Sequence, residues 1–448
     1  MSKIHLIAIG GAVMHNVALA LHQNGHEVSG SDDQIYEPAY SRLLAKGILP
    51  SNEGWNPESI PKDVDFVILG MHAKKENPEL LHCLSHGIKV YSFPEYVAER
   101  YKTKTKIVVA GSHGKTTTTS ILMHILRSLN QKFDYLVGAQ LNGFDNMVSF
   151  SDAPLAVIEG DEYLSSAIDL RPKFLHYHPQ MLILTGIAWD HYNVFPTYEK
   201  YVSAFDNLLD SLALGTKVFY YGRDKELVRL IEKYGNKLDA EPYFEIDYSV
   251  VNGDYIEKTT DTVLKLFGRH NMQNISASLD LIDAMNLNRV EAIKSLSSFV
   301  GAAKRQEELI NSNGKKVFRD FAHAPSKLRA TLDAFREKFP NENIGAFIEL
   351  HTYSSLNKDF LPEYKDSLVN VSKAIVYYDQ RAIEVKKLER IDHEDIQNAF
   401  GFTALTVCSD SAILTEVIQR KFSDCDVILF LGSGNFGGMD LSKLAAEF

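Results

Sequence analysis

The segment Val109 to Ser120 reads V-A-G-S-H-G-K-T-T-T-T-S and constrains the fold more than any other stretch. An apolar β-branched run, Ile107-Val108-Val109, precedes it, and Ile121, Leu122, Ile125, Leu126 and Leu129 follow at helical spacing. Strand, small-residue loop, helix is the context that a phosphate-binding loop requires. Backbone N–H groups at a helix start, at the positive end of its dipole, hold polyphosphate oxygens. Lys115 adds a mobile cation and Thr116 a hydroxyl suited to Mg²⁺. The usual pattern has a glycine where Val109 stands, so the loop is a shortened variant. A plain glycine-containing turn is the weaker reading, because G-K-T-T both follows a strand and opens a helix.

The same strand-then-helix grammar runs through the whole chain, which predicts an α/β protein with parallel-rich sheets. The length of 448 residues exceeds one core and suggests roughly three domains. Ile4 to Ile9 reads as a buried strand, Gly10-Gly11 turns the chain, and Val17, Leu19, Ala20 and Leu21 suggest a helix. A dinucleotide fingerprint would need glycine at positions 8, 10 and 13; the chain has Ala8, Gly10 and Val13. A nucleotide over the Gly10-Gly11 turn, with Asp32 near a ribose or base, is one reading. The other makes Asp32 a turn or cap residue.

Polar groups recur where strands end. Leu155 to Ile158 leads into Glu159-Gly160-Asp161-Glu162, with Glu159 best placed to hold Mg²⁺ and the next two acids readable as solvated turn charges. Met181 to Gly186 leads to Trp189-Asp190-His191. A helical stripe begins after Gly268-Arg269-His270-Asn271, where Asn271 and Asn274 share a face as caps or as contacts to a purine or ribose. Val317-Phe318-Arg319 leads to Asp320-Phe321-Ala322-His323-Ala324-Pro325 and a further helix. Val427 to Leu431 ends in the glycine-rich run Gly432 to Gly438, able to approach a carboxylate or phosphate or to serve as a plain loop.

Net charge of −11 argues against a general nucleic-acid or anionic-membrane binder. The three scattered cysteines, Cys83, Cys408 and Cys425, lack metal spacing and read as small buried hydrophobes of a reduced cytosolic protein. No stretch is apolar for long enough to span a bilayer, and the first residues read as a strand rather than a signal peptide.

Taken together, G-S-H-G-K-T-T, E-G-D-E, W-D-H, G-R-H-N-x-x-N, K-R-Q-E and D-F-A-H-A-P occur in an order that resembles the Mur ligases, ATP-dependent amide-forming enzymes of peptidoglycan precursor synthesis. The resemblance covers nearly the whole chain. It implies a Rossmann-like N-terminal domain for a UDP-sugar (1–98), a central P-loop ATPase domain (99–301) and a Rossmann-like C-terminal domain that brings the amine (302–448). Two branches share an N-terminus of this kind. One adds L-alanine to UDP-N-acetylmuramate; the other, a murein peptide recycling branch, adds L-alanyl-γ-D-glutamyl-meso-diaminopimelate. G-S-D-D-Q-I-Y-E-P (Gly30 to Pro38), P-K-F-L-H-Y-H-P (Pro172 to Pro179) and S-G-N-F-G-G (Ser433 to Gly438) are more similar to the second, although His323-Ala324-Pro325 stands where that branch carries His-His-Pro. Several family members carry a carbamylated lysine near Mg²⁺ at the position of Phe205; branches acting on UDP-N-acetylmuramate itself lack it.

The resemblance implies ATP and Mg²⁺ as cofactors, a bacterial cytoplasmic setting, and UDP-N-acetylmuramate with an amino acid or muropeptide as substrates; monomer and dimer are both open. Lys115, Glu159 and His191 are the expected catalytic residues, with Thr116, Glu159 and His191 on magnesium. Gly111, Ser112, His113, Gly114, Lys115, Thr116, Thr117, Asn271, Asn274, Arg305, Asp320 and His323 are expected to hold ATP. Gly10, Gly11, Ser31, Asp32 and His72 are expected to hold the sugar nucleotide. A nicotinamide-dependent dehydrogenase is opposed by the broken glycine fingerprint and the central G-K-T-T. A P-loop switch would not need a third domain bearing Asp320 and His323.

Overall fold

Runs of β-branched and aliphatic residues buried on both faces form the central strands of three parallel-rich sheets, as such runs must when helices cover both sides. The computed structural model describes residues 1–312 and 314–448. The chain falls into two units. The first comprises Met1–Ile187, Val202–Tyr243 and Asp280–Leu287, and the second Ala188–Tyr201, Phe244–Leu279 and Asn288–Phe448.

The first unit contains two all-parallel sheets. The smaller has the spatial order Glu27–Ser31, Lys3–Ile7, Phe66–Leu69, Val90–Ser92. The helix Met14–Gln23 packs beside it and buries Val17, Leu19, Ala20 and Leu21. The larger sheet runs Asp239–Tyr243, Lys217–Tyr221, Met181–Leu184, Thr105–Ala110, Leu155–Gly160, Phe133–Leu136. Its register aligns three strand ends: Ala110 lies opposite both Gly160 and Leu184, and Val109 opposite Glu159. The chain therefore leaves these strands at one edge, where open α/β sheets place ligands. The helix Lys115–Ser128 starts there. Thr116 to Thr119 are weak helix formers. Burial of Ile121, Leu122, Ile125 and Leu126 compensates, at ~2 kcal/mol per side chain.

The second unit holds a six-stranded sheet of order Glu307–Ser312, Lys315–Asp320, Val427–Leu431, Ile344–Leu350, Lys373–Tyr378, Leu405–Cys408, parallel except for its first strand. Phe347, Ile375, Ile428, Phe430 and Phe436 form its core. A small antiparallel sheet, Tyr248–Val251, Asp254–Glu257 and Thr262–Leu264, precedes the helix Arg269–Ala284. The start of that helix meets the helix Pro325–Lys338 at Gly268, whose φ is +86° and whose absent Cβ would lie 2.2 Å from Ala334 Cβ. Phe267, Phe318 and Phe335 close the contact edge to face.

All three cysteines are buried and unpaired, as small hydrophobes. Phe205 is a fully buried core aromatic against Phe174. No helix among the described residues is long and apolar enough to cross a membrane.

Candidate active site

The phosphate loop closes on its neighbouring strand. Gly111 has φ +128°, and a Cβ there would lie 2.3 Å from Thr185 Oγ1, so only glycine fits. The Ser112 N–H and hydroxyl both donate to the Gly186 carbonyl, at 2.9 and 3.1 Å. Thr185 donates its hydroxyl to the His113 carbonyl. Gly114, at φ +73°, leads into the helix without a side-chain cap. The helix start thus keeps N–H groups for an anion.

Lys115 donates to the Gly111 carbonyl at 2.7 Å and to Glu162 Oε2 at 2.6 Å. Burial opposes its charge, but Glu162, Asp161 and Glu159 outweigh burial and raise its proton affinity. Glu162 is fully buried and Asp161 pairs with Lys173 at 2.6 Å, so these two acids are not solvated turn charges. Lys115 is thus a fixed cation inside an acidic surround, available to a polyphosphate that replaces Glu162.

Glu159 accepts from Thr116 Oγ1 at 2.8 Å and from the Gly138 N–H at 2.6 Å. Burial raises its proton affinity despite those two donors and Lys115. A buried carboxylate beside a hydroxyl is a hard-oxygen pair suited to Mg²⁺, and the two residues fit that ion.

At the first sheet, the Gly10 N–H donates to Asp32 Oδ2 at 2.8 Å, and a Cβ on Gly10 would lie 2.9 Å from that oxygen. Gly11 follows, donating to the Ala8 carbonyl. Burial, with a contribution from Asp33, pushes the Asp32 carboxyl up to about 7. Ala8 sits at φ +67°, a glycine conformation held by a residue with a Cβ. Ser31 turns inward and donates to Glu79, while His72 is exposed. Glu79 also accepts from the Asn56 N–H at 2.7 Å and lies 3.5 Å from His5 Nε2.

In the second unit, Gln306 joins several expected residues. Its N–H donates to Asp320 Oδ2 at 2.8 Å, its Oε1 accepts from Asn271 Nδ2 at 2.9 Å, and its amide donates to the Phe267 carbonyl at 3.1 Å. Asn274 donates to Asn271 Oδ1 at 3.2 Å. Asn271, Asn274 and Asp320 are therefore one buried polar cluster, and Arg305 lies over the Phe321 ring at 4.3 Å. His323 donates from Nδ1 to the Phe321 carbonyl at 2.8 Å; burial, then Lys327, lowers it to about 3, so the ring is neutral. His191 has φ +55°, next to the buried Asp190. Burial works against Asp190's charge, but Lys327, followed by His191, holds it well below the usual carboxylate range.

Residues 3–105 match the model of the Mur ligase family catalytic domain, and residues 109–282 match that of the Mur ligase middle domain. A UDP-N-acetylmuramate–L-alanine ligase of Lactobacillus delbrueckii subsp. bulgaricus is 32% identical over 97% of this chain and 95% of its own. The chain belongs to the Mur ligase family. As a Mur ligase it is an ATP-dependent, ADP-forming ligase of peptidoglycan synthesis. Another relative, the UDP-N-acetylmuramate–L-alanyl-gamma-D-glutamyl-meso-2,6-diaminoheptandioate ligase of Haemophilus influenzae, is 28% identical over 98% of each chain. The solved structure of the UDP-N-acetylmuramate-alanine ligase from Thermotoga maritima shares the fold, with a TM-score of 0.73 over 100% of this chain and 99% of its own, at 22% identity.

Three residues have partners that no local stretch of sequence discloses. Glu79 reads as an ordinary first-turn acid of the helix Pro78–Ser85. Lys327 reads as a solvated helix lysine, yet its partner Asp190 lies 137 positions away. Gln306 stood inside a noted motif, but its partners Phe267, Asn271 and Asp320 lie on three other segments.

Proposed function

We propose that the chain joins the lactyl carboxylate of UDP-N-acetylmuramate to the L-alanyl amine of L-alanyl-γ-D-glutamyl-meso-diaminopimelate, in the bacterial cytoplasm. The observation that carries the reaction class is Lys115 at the phosphate loop, beside the Thr116–Glu159 pair. The carboxylate attacks the γ-phosphorus of ATP, giving an acyl phosphate and ADP. The amine then attacks the acyl carbon and phosphate departs. Two anions must meet, so placed cations govern the barrier. Lys115 is assigned to the β- and γ-phosphates, within the N–H groups of Gly111 to Thr117. Thr116, Glu159 and His191 are assigned to Mg²⁺, which when bound supplies charge neutralisation. Asn271, Asn274, Arg305, Asp320 and His323 are assigned to ATP, and Gly10, Gly11 and Asp32, with His72, to the sugar nucleotide. Ser31, whose hydroxyl donates to Glu79, is assigned to the same sugar-nucleotide site. Blocks 1–98, 99–301 and 302–448 are the proposed domains.

The tripeptide reading rests on the three stretches Gly30 to Pro38, Pro172 to Pro179 and Ser433 to Gly438, and on similarity to the Haemophilus enzyme. L-alanine as the amine is the second reading, favoured by the higher identity to the Lactobacillus enzyme. Incubation with ATP, Mg²⁺, UDP-N-acetylmuramate and either amine, followed by mass spectrometry, decides between them. The tripeptide adduct is expected; exclusive use of L-alanine refutes the preferred amine while leaving the ligase reading intact.

A further inference from the structure

The segment Ala188–Tyr201 follows a strand of the larger sheet in the chain, yet it is built into the second unit. A buried ion pair fixes it there. The Asp190 side chain, 4% exposed, accepts the His191 N–H on Oδ1 at 2.8 Å and the Lys327 ammonium on Oδ2 at 2.7 Å. Lys327 stands in the first turn of the helix Pro325–Lys338, where the helix dipole opposes a cation. Its place there is stabilised by the Asp190 carboxylate. Two further anchors flank His191. The Tyr192 N–H donates to Ser354 Oγ at 3.1 Å, and the rings of Trp189 and Tyr192 pack on Phe360 at 5.8 and 6.0 Å. Between these anchors His191 is held at φ +55°, a backbone state that a non-glycine residue keeps only when its surroundings over-determine it.

We infer that Lys327 is a positioning residue: through Asp190 it locks the backbone of His191 and so fixes the direction of the imidazole. The inference rests on the proposed magnesium role of His191 for its catalytic consequence, though not for its structural content. Without the ammonium, the buried Asp190 carboxylate loses its compensating charge. The carboxylate then turns toward water, away from the place where Lys327 held its Oδ2, and gives up the His191 N–H held on its Oδ1. A ligand whose support is removed in this way binds metal about 10- to 100-fold more weakly.

The test uses the full-length chain and the variants Lys327→Met, Lys327→Arg and His191→Asn. Mn²⁺ affinity is read by electron paramagnetic resonance with a non-hydrolysable ATP analogue, UDP-N-acetylmuramate affinity by calorimetry, and backbone exchange over residues 189–192 by hydrogen–deuterium mass spectrometry. Lys327→Met is expected to weaken Mn²⁺ binding about 10-fold or more, to speed exchange over 189–192, and to leave sugar-nucleotide affinity unchanged. Lys327→Arg is expected to restore both effects in large part. Unchanged exchange in Lys327→Met overturns the inference, as does equal impairment of the Met and Arg variants. If His191→Asn binds Mn²⁺ like the parent, the magnesium role of His191 falls, and exchange over 189–192 alone decides the inference.

Discussion

Removal of the Lys115 ammonium tests the reaction most directly. Lys115→Ala removes the Lys115–Glu162 ion pair and takes the cation from the phosphate loop. Substrate-dependent ADP release is expected to fall to background while UDP-N-acetylmuramate binding persists, as coupled-enzyme assay and calorimetry would show. Turnover at the parent rate would refute the assignment. Glu159→Gln tests the metal site. The amide still fits between Thr116 and Gly138 but lacks the charge for Mg²⁺. The Mg²⁺ concentration for half-maximal activity should rise about 10-fold or more, and unchanged Mg²⁺ dependence would remove Glu159 from the metal. Lys115, Thr116 and Glu159 were legible in the sequence because each lies beside a strand that announces itself by its apolar run. The partners of Glu79, Gln306 and Lys327 were not, because partnerships between distant segments leave no mark in a local window. The reading of Glu162 stayed open for the same reason: an acid after a strand can be solvated until Lys115 is seen against it.

Among elements, the strands with continuous Val, Ile and Leu runs were legible, and the register of Thr105–Ala110 with its two neighbours explains why polar residues gather at their ends. The antiparallel strands Tyr248–Val251, Asp254–Glu257 and Thr262–Leu264 escaped notice, being short and half-exposed, with charged and polar residues interrupting the pattern. Their buried anchor is Tyr255, whose hydroxyl donates to Glu337 on the helix Pro325–Lys338. That helix also receives Gly268, and there one methyl group is predicted to matter. Gly268→Ala forces an alanine to φ +86° against Ala334. The conformational cost of about 1–2 kcal/mol adds to an overpacking cost of about 1–3 kcal/mol. The second unit should therefore unfold at distinctly lower urea, followed by the fluorescence of Trp189. An unchanged midpoint would show that the two helices part without loss.

For the molecule as a whole, the partition into two units was not legible, because Ala188–Tyr201 lies between elements of the first unit in the chain and belongs to the second through Asp190, Tyr192 and Trp189. The partition has a measurable consequence, since each unit carries one of the two tryptophans, Trp55 in the first and Trp189 in the second. Trp55→Phe and Trp189→Phe variants therefore report the units separately, and a single two-state free energy need not describe the chain. The units also carry opposite proton linkages. Asp32, raised from 3.8 to about 7, binds its proton more tightly folded than unfolded, so its contribution to stability is greatest below pH 3.8 and is lost as pH rises to about 7. His323, lowered from 6.5 to about 3, binds its proton more tightly unfolded, so its contribution is full above pH 6.5 and is lost as pH falls toward 3. Each group changes stability by at most about 1.4 kcal/mol per pH unit. Between pH 4 and 6.5, Asp32→Asn should remove a downward slope with pH from the unfolding midpoint reported by Trp55. His323→Gln should remove an upward slope from the midpoint reported by Trp189. Identical pH profiles for parent and variant at either tryptophan would show that the group in that unit titrates as it does in the unfolded chain, and that its burial is not maintained in solution.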